Sequence, residues 1–112
     1  MPHKLYAIRH DILTAIEEIK GFVEGRSLSE LLVDRTFQLV LEREFEILGE
    51  AMNRLRSIAP VAFDGIPSGH RIIGMRNILA HGYDRVDYSV LWAAANEELE
   101  SLRIHVDSIC PE

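Results

Sequence analysis

At 112 residues, with 47% hydrophobic and 27% charged side chains, the chain reads as one globular domain over 1–112 with a single core. The net charge of −6 argues against broad nonspecific nucleic-acid binding, and no apolar run approaches the roughly 20 residues that a membrane span needs. The lone cysteine, Cys110, excludes an internal disulfide and a thiolate metal site.

The opening M-P-H-K-L-Y-A-I-R-H holds no continuous apolar stretch, so no signal peptide is expected and the expected compartment is the cytoplasm. Leu5, Ile8, Ile12, Ala15, Ile19 and Phe22 follow 3-4-3-4-3 spacing, which predicts a first helix with these residues on one face. Gly21 and Gly25 loosen the chain after it. S-L-S-E, Ser27 to Glu30, reads as a capping box: a serine oxygen for the free amides and a glutamate three residues on.

A long second helix follows, with a bend expected near Asp34. It carries two adjacent apolar stripes, Leu41, Phe45, Leu48, Met52 and Leu55 beside Val40, Ile47, Ala51 and Ile58. A face this wide predicts burial against more than one neighbour. Glu44 falls where the first stripe would continue. It is expected either at the edge of the stripe in water or turned to orient Arg76 or His81.

Pro60 and F-D-G-I-P-S-G break the pattern. Pro67 suits the first turn of a third helix that runs to about His81, with Gly82 just past its C-cap. Asp87 can cap a last helix, in which Tyr88, Trp92, Ala95, Leu99, Leu102, Val106 and Ile109 keep a heptad seam. Four amphipathic helices with short connections predict an all-α antiparallel four-helix bundle.

The segment from Ile66 to Val86 holds Arg71, Arg76 and Arg85 against a single acid, Asp84, and includes His70 and His81. Within it lies R-N-I-L-A-H-G-Y, Arg76 to Tyr83. Asn77 and His81 are four apart and share a helix face. Arg76 sits about 140° round from His81 on an ideal helix, within reach of a long side chain. These residue types suit RNA cleavage without a metal or cofactor. Histidine titrates near pH 6.5 and can take or give a proton near neutrality. Arginine offers a planar, permanent charge to a phosphorane. Asn77 can hold the imidazole tautomer or bind an oxygen. One histidine cannot be base and acid in one step, but two copies facing a cleft could supply both. The plain structural alternative is a helix end: His81 on the dipole, Gly82 as the stop, Tyr83 packed back on Ile78, and Arg76 paired with some carboxylate. His3 and His10, without a third ligand, do not make a metal site.

R-N-I-L-A-H-G-Y-D-R-V-D resembles the signature of the HepT family of the HEPN superfamily, and L-E-R-E-F-E-I-L-G-E-A-M-N-R-L (Leu41 to Leu55) resembles that family's long helix. The preceding I-I-G-M-R-N matches too, and the resemblance spans the chain. It implies a HEPN bundle acting as a homodimer and a metal-independent endoribonuclease of a toxin–antitoxin pair. Arg76 and His81 would be catalytic and Asn77 supporting. It also implies a small MntA-like nucleotidyltransferase antitoxin that moves AMP from ATP onto Tyr83. Where the family would place an aromatic residue after the proline, this chain has Ser68, Gly69 and His70, which leaves the start of the third helix open. His70 is read as a solvated surface histidine or an extra ligand for RNA. A competing reading is a non-catalytic interaction module that binds a nucleotidyltransferase or a nucleotide.

Overall fold

The computed structural model describes residues 2–81 and 86–109, and among these every regular element is helical. Helix α1, Pro2–Val23, buries Ile8, Ile12, Ala15, Ile16, Ile19 and Val23. The expected stripe is therefore rotated at its end: Phe22 is 40% exposed and Val23 takes the inward position. Val23 follows Ile19 by four and Ile16 by seven, so it continues the line that Ile12 and Ile16 begin. Gly25 follows with a φ of 74°, the left-handed geometry that ends a helix readily only with glycine.

The capping box forms as read. The Glu30 amide donates to Ser27 Oγ at 3.2 Å, and the Ser27 amide donates to Glu30 Oε1 at 2.9 Å. It opens a short helix, α2, Leu28–Val33. The bend expected near Asp34 is a full break. Asp34 is extended, with φ −100° and ψ 103°, and its Oδ1 accepts from the Phe37 amide at 3.1 Å to start α3, Arg35–Ile58. An aspartate side chain that satisfies a new helix's free amides makes the break cheap.

Helix α3 is the central element and packs against α1, α2, α5, α6 and the short helix α4, Pro60–Asp64. Leu41, Phe45, Leu48, Met52 and Leu55 are all fully buried. Of the second stripe only Ala51 is; Val40 and Ile47 are partly covered and Ile58 is exposed.

Helix α5, Gly69–His81, begins two residues after Pro67, so the proline lies outside its first turn. A Cβ on Gly69 would come within 2.8 Å of the buried Phe63 ring, so the start of α5 can lie against α4 only with glycine there. The last helix is interrupted at Glu98 into α6, Tyr88–Glu97, and α7, Leu99–Asp107. Glu98 keeps a right-handed helical conformation, and the heptad seam continues through it from the partly buried Tyr88 and Trp92 to the buried Leu99, Leu102 and Val106. Asp87 caps α6 as expected, with Oδ1 accepting from the Ser89 amide at 3.0 Å. The Tyr88 hydroxyl donates to Glu42 and ties this end of α6 to α3.

Cross-helix ion pairs give the sense of packing. Arg9 meets Asp107 and Lys20 meets Glu100, so α1 runs antiparallel to α7; Arg54 meets Asp11 across α1 and α3. The four long units are α1, α3, α5 and the α6–α7 pair, an all-α bundle with two short helices at its turns. Among the described residues no helix is long and apolar enough to cross a membrane.

Candidate functional site

Helix α5 packs against α3 and buries Ile72, Ile73 and Met75. This apolar face fixes the rotation of α5 and hence where Arg76 emerges. The crossing is close because α3 carries Gly49 at that level. A Cβ there would overlap the Cβ of Arg76, lie 2.8 Å from its Cγ and lie 3.2 Å from the Ile72 carbonyl oxygen. The aliphatic stem of Arg76 therefore lies directly on α3 backbone, a contact that only glycine permits.

The guanidinium is held at both terminal nitrogens. Nη2 is 2.7 Å from Glu50 Oε1, and Nη1 donates to Asn77 Oδ1 at 3.0 Å. The Arg76 side chain is 31% exposed, so its head remains reachable. It faces an open cleft of about 320 Å³ lined by Arg43, Glu46, Ile47, Glu50, Arg54 and Ala80. Arg43 pairs with Glu46 at 3.2 Å and Arg54 with Asp11 at 3.2 Å, so every arginine of the cleft rests on a carboxylate. Surface pairs such as those of Arg43 and Arg54 contribute only about 0–1 kcal/mol, so an incoming phosphate can replace their carboxylates at little cost.

Of the residues singled out in the sequence, the structure brings Arg76 and Asn77 together. Asn77 is engaged by its neighbour's guanidinium. His81 is the last residue of α5, about 1.4 turns beyond Arg76 on the same helix. Its side chain, together with Gly82 and Tyr83, lies outside the described residues, and so do the expected glycine stop and the packing of Tyr83 on Ile78.

Glu44 is not the carboxylate that meets Arg76. It is partly buried beside Glu18 of α1, and its Oε1 finds no hydrogen-bond partner among the described residues. Burial, reinforced by Glu18, raises its carboxyl to about 7. The carboxylate that holds Arg76 is Glu50, which the sequence reading missed along with Gly49. A signal was available: a glycine inside a strongly helical pattern, Leu48-Gly49-Glu50, costs about 1 kcal/mol relative to alanine and marks a close approach.

His70 sits at the opposite end of α5 from His81 and stacks edge-on against Phe63, with ring centroids 5.0 Å apart. It is a surface residue away from the cleft. His10 lies 3.5 Å from Thr14 Oγ1 on its own helix.

A cleft with a fixed, partly exposed arginine can bind a phosphodiester. A family model described as ribonuclease HepT-like matches residues 12–109. A protein of Thermococcus cleftensis named "Probable ribonuclease HepT" is 34% identical over 101 residues, covering 90% of this chain and 89% of that protein. One of Methanocaldococcus jannaschii, named "Putative RNase MJ1380", is 26% identical over 103 residues, covering 92% and 94%. A third, from Caldanaerobacter subterraneus subsp. tengcongensis, carries a name of the same form and is 30% identical over 98 residues, covering 88% and 87%. No solved structure gives a significant match.

Proposed function

Because the chain belongs to the HepT-like ribonuclease family, we propose that it cleaves RNA as the toxin of a toxin–antitoxin pair, with Arg76 and His81 as its catalytic residues. The observation that carries this reading is the state of Arg76: its stem is pinned on Gly49, its head is tied to Glu50 and Asn77, and it faces an open cleft about 1.4 turns before His81.

In the proposed reaction the substrate's own 2′-hydroxyl is the nucleophile. Its oxygen attacks the adjacent phosphorus as its proton passes to a neutral imidazole. The bond to the 5′-oxygen breaks, and that oxygen takes a proton from an imidazolium. The products are a 2′,3′-cyclic phosphate and a 5′-hydroxyl. Charge that builds on the equatorial oxygens is met by the Arg76 guanidinium, whose fixed orientation avoids reorganisation at the moment of reaction. No step calls for a metal or a cofactor. Two protonation states of histidine are needed at once, so the proposal includes a homodimer in which two motifs face one cleft. Asn77 supports the site by holding Arg76.

Tyr83 is proposed as the control point. AMP transferred to its phenol by an MntA-like nucleotidyltransferase would place negative charge and bulk beside a cleft that must admit phosphate. Expression of the chain alone, with and without His81→Ala, tests the whole reading. Growth arrest with degraded RNA in the wild type only is expected. Equal effects of both forms would favour a non-catalytic interaction module.

A further inference from the structure

Resting on that reading, we infer that Glu50 and Gly49 of α3 form a positioning clamp for Arg76, so that the cleavage rate depends on a carboxylate that never touches RNA. The motif arginine and histidine belong to α5, while both clamp residues belong to α3. Three observations converge. The Arg76 stem lies against the backbone of α3 where a Cβ on Gly49 would overlap it. The next residue along α3, Glu50, places Oε1 2.7 Å from Nη2. Asn77 accepts from the other terminal nitrogen at 3.0 Å, so the guanidinium plane is fixed from both sides.

Free arginine is a long, four-torsion side chain. A scissile phosphate would have to order it on binding or in the transition state. Here the ordering is already present. The guanidinium carries five N–H donors, so two ties still leave donors for a phosphate. Glu50 is not needed for the core: its side chain is 49% exposed and joins no buried network. Its cost to phosphate binding is the negative charge it adds to the cleft. Its gain is orientation in the transition state. These predict opposite effects on affinity and on rate, and a merely structural residue would produce neither.

The test uses Glu50→Ala and Glu50→Gln in the full chain. Single-turnover cleavage of a short RNA is measured at saturating protein, and RNA affinity is measured in the His81→Ala background, where nothing is cut. Glu50→Ala is expected to lower the cleavage rate by up to about 100-fold, the cost of a catalytic group misplaced by about 1 Å. It should leave affinity equal or tighter. Glu50→Gln keeps an acceptor at Oε1 and should recover part of the rate. The independent readout is the Arg76 side-chain N–H signal in ¹⁵N NMR, assigned with Arg76→Lys. It should report a restrained guanidinium in the wild type and an averaged one in Glu50→Ala. An unchanged rate, or an equally restrained guanidinium in Glu50→Ala, overturns the clamp. Wild-type protein that cuts no RNA would instead overturn the proposed function, and the guanidinium measurement would still decide the clamp.

Discussion

Replacing Gly49 with alanine should lower stability, whereas the same change at Gly21 should raise it. Both glycines are helical, so alanine gains about 1 kcal/mol of helix propensity at either site. At Gly21 a Cβ meets nothing within 4 Å, and that gain is the whole effect. At Gly49 the new methyl would overlap the Arg76 Cβ and stand 3.2 Å from the Ile72 carbonyl oxygen. These atoms are fixed by backbone, so no rotamer change relieves the clash, and α5 must lift from α3. Overpacking of this kind costs about 1–3 kcal/mol, and the severity of the overlap puts this case near the top of the range. Offset by propensity, the net loss is about 1–2 kcal/mol, a fall in Tm of about 5–10 °C for a domain of this size. Urea titration of the three proteins with a common m-value is the assay. A Gly49→Ala protein as stable as Gly21→Ala would show that the helices do not cross as closely as described.

Glu44→Gln should change the pH dependence of stability. The carboxyl is raised from 4.5 to about 7, so between these values the folded state holds more protons than the unfolded one, and stability is lost as pH rises. The variant should match the wild type near pH 4 and exceed it above pH 7, measured by denaturant titration at each pH; equal stability at pH 8 would contradict this. The proposed composite site needs two copies, so sedimentation at micromolar concentration should give a dimer, and a well-behaved monomer would leave one histidine with two roles. After co-expression with a neighbouring nucleotidyltransferase, intact mass should show one or more AMP units on the wild type and none on Tyr83→Phe. Unmodified but fully neutralised wild type would mean that the partner works by blocking the cleft.

Much of the fold was legible because it rests on periodicity and local chemistry. The buried stripe Leu41, Phe45, Leu48, Met52 and Leu55, the capping box at Ser27 and the cap at Asp87 each follow from residues close in sequence. The misreadings have tertiary causes. Phe22 and Val23 both fit a helical stripe, and which one faces inward depends on where α3 and α7 lie. Asp34 could bend or break a helix; its side chain reaching Phe37 N decided for the break. The start of α5 depends on Gly69 fitting under Phe63. At the site, Arg76 and Asn77 were visible as neighbours, but Glu50 is 26 positions from Arg76 along the chain, and only the α3–α5 crossing brings them together. Glu44 drew notice for breaking an apolar stripe, yet the useful carboxylate was the one beside the helix's glycine.

The central claim is that Arg76 and His81 cut RNA through the substrate's own hydroxyl. The most direct measurement is cleavage of a defined RNA by purified protein in excess chelator, with product ends identified by mass. The account predicts 2′,3′-cyclic phosphate or 3′-phosphate ends from the wild type. It predicts none from Arg76→Ala or His81→Ala, both of which should stay within about 1 kcal/mol of wild-type stability. Persistent cleavage by His81→Ala, or activity only when a divalent ion is restored, would contradict it.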